Sequence, residues 1–564
     1  PVRLRGQVGT PGWWVGVVIG SNHPQNVIEH AIIEDTGSGT YSTSYLSALS
    51  ANDGTQVSIR DSIFRKVKGH GVTLAADATI NAFSGNIFES IDDAPLRTSA
   101  PQLRHIDPNN RFAGRPDAPN QKPVVLLDGG TIKEAMSWPA LDVPCRSTSI
   151  ISVEAMLTVS PGVRMEFETD AGLYVSEGGL LAKGSADAKI VFSESSDQQT
   201  QWYGVIIKSS NKANRLEHVI IENGGRNTYD SSYAANLSIG AEAVVSLVDV
   251  ELRGSQQYCA SFEGGASLAE VKNVSLHDCG TALARMDLKQ LGSLGKQSFV
   301  ARADVAVTNE TVGGDEPAGD EAGQAGESEP GDVEQPSAPE EVGETGQAPN
   351  LQEPAEAGEG GEGTVEPASS EEPPPPASAA PEAADAETEQ PSTAWIEVEG
   401  GYVTESANWP ALQFPLRFND WVYVEAALVL EAGVMLRFGP GVGLAVTNNG
   451  SIDARGNEQA PVSMQSADAT LGAWAGLRIS TASDANRLSF TQIRGAGGGD
   501  AGGEAASIFV ESGASLTLEQ CLVADSVSKG LLAGADAKLQ PASPNTEGGN
   551  VFSGNQDGDF LRLE

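Results

Sequence analysis

The sequence predicts an all-β solenoid in which short strands stack coil upon coil, and three observations lead to this fold class. A tandem repeat recurs with equivalent tryptophans at Trp14, Trp202 and Trp474. Apolar residues come in short bursts of period two, as in 163–167, and Gly or Asn separates the bursts. Period two with frequent breakers predicts short strands and tight turns rather than helices. Repeated units of this kind bury their apolar faces by stacking on one another.

The repeat sets the domain boundaries. The two intervals between tryptophans are 188 and 272 residues, and they become equal when the 84 residues of Asn309–Ser392 are removed from the second. Residues 1–123 are then the rear half of a first repeat, so the chain begins inside a repeat. Residues 124–308 form a complete second repeat, and residues 393–564 form a third that ends early.

The segment Asn309–Ser392 differs in composition from the repeats. It contains 23 Asp and Glu and no Lys or Arg, and it includes Pro373–Pro376. Few apolar side chains and dense like charge cannot offset the entropy of ordering, which predicts a disordered, self-repelling linker. We expect repeats one and two to stack as one solenoid and repeat three to be a separate β-helical body on this tether.

The charge of the chain excludes some partners. The formal net charge is −41, of which the linker carries −23. Nucleic acid and anionic lipid both demand a basic face, so the balance argues against them. The sequence also has no apolar run of 18 residues, so we expect no membrane span. The oligomeric state is not predicted.

Specific residues in the repeats resemble those of a known class of protein. The second copy carries Leu157–Val163, Phe167, Gly172, Leu173, Val175, Gly179, Ala182, Gly184, Ile190, Phe192, Trp202 and Gly204, and the third copy has equivalents in the same order. This pattern resembles bacterial surface proteins with right-handed parallel β-helix repeats, in the pectin-lyase-like superfamily. The resemblance covers nearly all of the chain outside the linker. It implies a right-handed parallel β-helix and an extracellular or cell-surface location, but a fold does not supply a function.

Two histidines are the first candidates for chemistry. His30 and His218 each follow a glutamate, and Glu34 and Glu222 come four residues later. A histidine between carboxylates has the pKa and the lone pair that a general base or a metal ligand needs. The third copy has Phe490 at this position, which indicates a planar side chain in an internal stack. We therefore favour a structural role for both histidines, predict no metal site, and keep both glutamates as candidate ligand contacts.

A loop with paired tyrosines follows this strand in two copies. It contains Tyr41 and Tyr45 in the first copy and Tyr229 and Tyr233 in the second, while the third copy has a glycine-rich stretch instead. An aromatic ring can stack on a sugar face at little cost in entropy. The alternative is that the rings only cover the side of a coil. This loop is the predicted binding site.

Other motifs give weaker signals. Gly69–Gly71, with His70 at its centre, resembles a catalytic motif of polygalacturonases, but the companion motifs of those enzymes are missing. Asp557–Asp559 could begin a calcium loop, although a polar turn is favoured. We predict no catalytic residue and no cofactor, with calcium as the alternative. Cys259 and Cys279 lie 20 residues apart, which is close to the length of one coil, so they could stack on each other and form a disulfide. The favoured interpretation is that both are small buried side chains without a bond.

These observations predict a non-catalytic structural or binding module on the cell surface. Aligned side chains of successive coils form a long shallow groove suited to a polymer, so polysaccharide or another glycan is the expected ligand. The superfamily resemblance implies an alternative, a polysaccharide lyase or glycoside hydrolase. A passive surface spacer or adhesin is the second alternative.

Overall fold

The computed structural model describes residues 1–39, 46–197, 202–225, 229, 234–300, 394–468, 470–498 and 505–564. The predicted fold class is confirmed, since these residues form a right-handed parallel β-helix with almost no helix. Every pairing between named strands of the coils is parallel, and a two-stranded antiparallel hairpin, Gly114–Arg115 with Ala118–Pro119, is the exception within this part of the chain. No described helix is long and apolar enough to cross a membrane.

The coils of the first repeat contribute strands to three sheets. The four-stranded sheet contains Val2–Leu4, Ala31–Thr36, Ile63–Val67 and Ile87–Ile91. The three-stranded sheet contains Val27–Glu29, Gln56–Arg60 and Thr79–Ser84. The third sheet begins with Val17–Ile19, Ser47–Ala51, His70–Leu74 and Leu96–Thr98. It then continues into the second repeat.

The second repeat completes that 12-stranded sheet and adds two others. The added strands of the 12-stranded sheet are Val125–Leu127, Cys145–Ser147, Arg164–Phe167, Ile190–Glu194, Val219–Glu222, Glu251–Arg253, Val274–His277 and Phe299–Val300. A six-stranded sheet contains Met136–Trp138, Met156–Val159, Gly179–Lys183, Arg215–Glu217, Val244–Val248 and Ser267–Lys272. A 14-stranded sheet begins with Gly130–Ile132, Ile150–Val153, Gly172–Val175, Val205–Ile207, Ala235–Ile239, Tyr258–Phe262 and Ala282–Asp287.

The third repeat extends the 14-stranded sheet and has two sheets of its own. The 14-stranded sheet continues through Ile396–Glu399, Leu416–Phe418, Met435–Phe438, Val462–Ser466, Thr491–Arg494, Leu522–Ala524 and Val551–Ser553. A seven-stranded sheet contains Gly401–Val403, Val422–Val424, Gly443–Val446, Gly476–Ile479, Ala506–Val510, Lys529–Ala533 and Phe560–Arg562. A six-stranded sheet contains Ala407–Trp409, Ala427–Leu430, Ser451–Arg455, Arg487–Ser489, Ser515–Glu519 and Lys538–Gln540.

The recurring Trp-x-Gly motif has a packing explanation. The Trp202 ring is fully buried and stacks on Phe167 with ring centroids 4.4 Å apart. Its indole nitrogen donates to the carbonyl of Glu222 at 3.0 Å, and the other two motif tryptophans make the same bond to the residue 20 positions on. Gly204 has φ +95°, and a Cβ there would lie 2.3 Å from the carbonyl oxygen of Ala235 on the next coil. The motif therefore marks packing, and the glycine lets two coils approach.

The junction between repeats two and three corrects one expectation. Strand Ala282–Asp287 pairs in parallel with Ile396–Glu399, so the third repeat is not a separate body but continues the same solenoid. The register Ala284 to Ile396 repeats the register Leu96 to Val125 at the first junction. The physical reason is that the last coil of the first and of the second repeat ends in an equivalent strand, and the first strand of the next repeat pairs with it. The predicted disorder of the linker stays a prediction, because residues 301–393 lie outside the described part of the chain.

Two short helices mark the two junctions. The 3-10 helix Ala100–His105 stands before the second repeat, and the α-helix Leu288–Leu291 stands at the equivalent place before the third. In the first, the Gln102 amide donates to the carbonyls of Ala75 and Ala78. In the second, the equivalent Gln290 makes the same two bonds to carbonyls of the preceding coil. The last coil before each junction is therefore fixed to the preceding coil by the same pair of bonds.

The cysteine expectation is also corrected. Cys259 and Cys279 form a disulfide with their Cα atoms 5.6 Å apart. Cys259 lies in strand Tyr258–Phe262, whereas Cys279 lies in the turn just before the next strand of the same sheet. The turn brings the two cysteines of adjacent coils together. Their spacing in the sequence is compatible with a bond but does not decide whether it forms. Cys145 and Cys521 are free and buried.

Candidate functional site

The tyrosine that the structure describes in the predicted loop belongs to an aromatic cluster. Tyr229 packs against Tyr174 and Tyr203, with ring centroids 5.3 Å away in both cases. All three rings are half-buried. We call these three residues the tyrosine patch. The other predicted tyrosines of this loop lie outside the described residues; they are Tyr41, Tyr45 and Tyr233.

A second aromatic surface lies on the third repeat and was missed by sequence reasoning. Tyr402 stacks on Tyr423 of the next coil with ring centroids 5.0 Å apart and ring planes 19° from parallel. Trp421 also stacks on Tyr423, with ring centroids 6.0 Å apart. We call these three residues the third-repeat platform. The signal for it was present, since 402 and 423 alternate with buried valines in two successive short strands.

The platform is accessible. Tyr402 is 56% exposed, and the other two rings are half-buried. A cavity of about 340 Å³ opens beside it, between the helix Leu288–Leu291 and residues 402–408. Large flat rings with one face in water and a neighbouring recess can hold an apolar sugar face.

The two predicted glutamates lie in ion pairs. Glu34 is 1% exposed and accepts hydrogen bonds from Arg3 at 2.5 Å and Arg65 at 2.7 Å. Burial alone raises the pKa of Glu34, but the bonds from both arginines outweigh it and hold the pKa below its ordinary value. Glu222 is half-buried and makes the equivalent pair with Arg253. A direct ligand contact stays a prediction for both glutamates, and the structure assigns both of them to ion pairs between coils.

The predicted histidines occupy a corner of the coil. His30, His218 and Phe490 are each the single residue between two strands, and their φ angles are 49°, 51° and 44°. His30 is exposed and the other two are half-buried, so the expectation of an internal planar stack is wrong. The physical reason is that one left-handed residue turns the chain between strands, and its side chain then lies at the outside of the corner.

Carboxylates of the next coil approach these histidines. His218 Nε2 lies 3.9 Å from Asp249 Oδ2. At the equivalent corner, Glu29, His30 and Asp61 are all exposed and can each bring one ligand atom within 4.8 Å of the others. Such a set suits a divalent ion chemically. In the third repeat, Phe490 removes this chemistry from the corner.

His70, from the polygalacturonase-like triplet, is buried. It is the first residue of strand His70–Leu74 and is 5% exposed. Burial lowers its pKa, against the opposing effect of Asp93, whose carboxylate lies 3.7 Å from Nδ1. A buried, neutral ring in this position favours the interpretation that the triplet is coincidental.

The acidic turn near the end of the sequence is held by an asparagine. Asn555 donates to the Asp559 carboxylate at 2.9 Å and accepts from the Ser526 amide. The Asp557 amide donates to the carbonyl of Ser528. These contacts describe a hydrogen-bonded polar turn, the interpretation favoured from the sequence, and calcium there stays an alternative.

Comparison with known proteins gives little. No protein-family model matches the chain, and no curated protein matches it. Among solved structures, the chain is similar to a PL6 family alginate lyase, AlyGC, with 9% sequence identity over 100% of this chain and 98% of that chain. The TM-score is 0.15. A likeness of this size does not show a family.

Proposed function

We propose that the chain is a non-catalytic binding module that contacts polysaccharide through aromatic rings on the outside of its coils. The observation that carries the proposal is the third-repeat platform, whose stacked rings stand on successive coils. Their centroid separation of 5.0 Å follows the coil spacing of roughly 4.8 Å. A polymer that lies across the coils meets one ring after another there.

The tyrosine patch supports the same function in the second repeat. Its rings are half-buried, and one of them, Tyr229, belongs to the loop that the sequence predicts as the binding site. A tyrosine that is already packed loses little rotamer freedom when a ligand covers it, so the contact costs little entropy. Polymer binding at two places on one solenoid also raises avidity.

The proposal includes an extracellular or cell-surface location. The disulfide between Cys259 and Cys279 supports it, since such bonds form and persist in oxidising compartments. Two alternatives stay open to experiment. A passive spacer would use the solenoid for its length alone, and a polysaccharide lyase or glycoside hydrolase would cleave what it binds.

Alanine substitution of the aromatic rings tests the proposal. We expect Tyr402→Ala with Tyr423→Ala to weaken retention on the preferred polysaccharide by about tenfold or more. Truncating a central interface tyrosine costs upwards of about 1 kcal/mol, and about 1.4 kcal/mol is a factor of ten. Affinity electrophoresis through gels that contain neutral or acidic polysaccharides measures the retention directly.

The control is Trp13→Ala, which removes an aromatic side chain that is 49% exposed and belongs to neither surface. It should leave retention unchanged. Adding Tyr174→Ala and Tyr203→Ala to the platform variant should weaken retention further. If the combined variant migrates like the unmodified chain in every gel, the aromatic surfaces bind no polysaccharide and the spacer alternative is favoured.

A further inference from the structure

Charged side chains form ladders on the outer face of the coils, and in the first two repeats acids stand next to bases. Glu34 stands in register with Arg65 on the next coil. In the second repeat, Arg146 stands in register with Glu166 and bonds it at 2.7 Å. Glu222 and Arg253 form the equivalent pair two coils further on. Each guanidinium in these ladders is therefore neutralised by a carboxylate.

The third repeat reverses the charge at two of these positions. Arg437 occupies the place of Glu166, and Arg494 occupies the place of Glu222. Arg417 keeps the base found at Arg146 and is in register with Arg437. The ladder thus changes from pairs of opposite charge to a cationic run in a chain whose net charge is −41.

A cavity of about 290 Å³ opens on this run. The described residues of its lining include Arg437, Arg494, Gln465 and Thr470, and Asp525 is the one acid among them. Asp525 pairs with Arg494 at 3.3 Å, which leaves one formal positive charge on these described lining residues.

Arg437 is the unusual member. Its neighbours in the ladder are neutralised, since Arg494 pairs with Asp525, and Arg417 pairs with Asp468 at 3.4 Å. Within the described part of the chain, Arg437 bonds the neutral Ser463 hydroxyl at 3.2 Å and the Gln465 amide oxygen but no carboxylate. Burial lowers the pKa of its guanidinium to about 10, so it is still charged at neutral pH. A half-buried cation with only neutral partners is an incomplete ion pair.

We propose that this cavity binds the carboxylate of an acidic polysaccharide, with Arg437 as its principal contact. The inference rests on the proposed function and names the ligand class for the third repeat. A planar guanidinium presents two parallel N–H donors to a carboxylate, which supplies the counter-charge that the ladder lacks. Thr470 and Gln465 line the cavity beside it and offer polar groups to sugar hydroxyls.

A guanidinium binds a sulfate ester or a free inorganic anion by the same chemistry as a carboxylate, so the test below distinguishes these three ligands. The ladder favours a polymer. Arg437 and Arg494 are two coils apart, about 10 Å along the stack, so the run can contact more than one acidic group of an extended chain.

Titration of matched oligosaccharides tests the inference. The probes are oligogalacturonate and oligomannuronate hexamers, their carboxyl-reduced neutral forms, a sulfated galactan hexamer and inorganic sulfate, each followed by isothermal titration calorimetry. We expect Arg437→Gln to weaken binding of a uronate hexamer at least tenfold and to leave its carboxyl-reduced form unaffected. Arg437→Lys should recover part of the affinity, because it restores the charge but not the fork.

The matched control is Arg455→Gln, which removes an arginine that is 64% exposed and pairs with Asp453 on its own strand. It should bind uronate like the unmodified chain. The inference is overturned if Arg437→Gln binds uronate hexamers normally, or if sulfate or the sulfated hexamer shows the Arg437 dependence while uronates do not. If neutral polysaccharide still binds when the Arg437 inference is overturned, the proposed binding function holds and only the assignment of the ligand class fails. If no polysaccharide of either kind binds, both proposals fail together.

Discussion

Replacing Trp202 by alanine is expected to destabilise the second repeat by about 3–5 kcal/mol, the cost of removing a large buried aromatic side chain. The substitution leaves a cavity beside Phe167, whose ring now stacks on the indole at 4.4 Å. It also leaves the Glu222 carbonyl without the indole donor. Urea unfolding followed by circular dichroism measures the loss.

The loss should be local, because each coil of a solenoid contacts only its neighbours. Amide hydrogen exchange should therefore accelerate in strands Gly172–Val175 and Val219–Glu222 and stay unchanged in Val551–Ser553. Trp13→Ala, at a half-exposed tryptophan, is the control and should cost less than about 0.5 kcal/mol. A loss below about 1 kcal/mol for Trp202→Ala would contradict the packing role assigned to the motif.

Cutting the chain inside the acidic segment should leave the two fragments associated. A sequence-specific protease site placed within residues 309–392 would separate residues 1–308 from 393–564 covalently. The strand pairing of Ala282–Asp287 with Ile396–Glu399 and a continuous apolar core should still hold the fragments together. Size-exclusion chromatography with light scattering after complete cleavage should show one peak with the mass of the whole chain.

Two separate peaks would contradict the stacked junction and restore the tethered body that the sequence predicts. A variant that weakens the junction provides the matched comparison. Arg285 bonds Glu399 across it at 2.8 Å and stands in register with Glu397. Arg285→Glu places a negative charge against both acids, so we expect its cleaved fragments to separate at lower urea concentration than those of the parent chain.

The fold was predictable because its signals are local and repeated. Short bursts of period two and regularly placed glycines predict strands and turns, and the threefold recurrence of Trp-x-Gly averages out the ambiguity of each copy. The glycine of the motif does more than end a strand, because Gly204 lies where the backbones of two coils come into contact. Repeated residues report repeated contacts, and stacking is the contact that a solenoid repeats.

The junction was not predictable from composition. A long acidic insert suggests that the repeats on its two sides are separate bodies. The distance along the chain, however, does not decide which strands pair. The signal lay instead in the likeness of the two junctions, where Leu96 pairs with Val125 and Ala284 pairs with Ile396 in the same register. The disulfide was hidden for a similar reason, because the turn before Ala282 sets the approach of its two sulfur atoms.

The site was predicted only in part. Four tyrosines were named, and the structure describes Tyr229 in an aromatic cluster. The ion pairs of Glu34 were not predicted, because its partner arginines come from other coils. Such pairs can be predicted only when the register between neighbouring strands is known. The third-repeat platform and the role of Arg437 were missed for two reasons. Each depends on how one coil lies over the next, and the other repeats have different residues at these positions, so the repeat itself gave no signal.

The most direct test of the central claim, binding without catalysis, is a prolonged turnover assay on the polysaccharide that the chain retains best. The chain would be incubated with it for many hours at high protein concentration, with and without calcium, and reducing ends and unsaturated uronate would be measured alongside retention. We predict retention with no release of either product above the protein-free control. Product release that a single carboxylate substitution abolishes would contradict the account and identify the chain as a lyase or hydrolase.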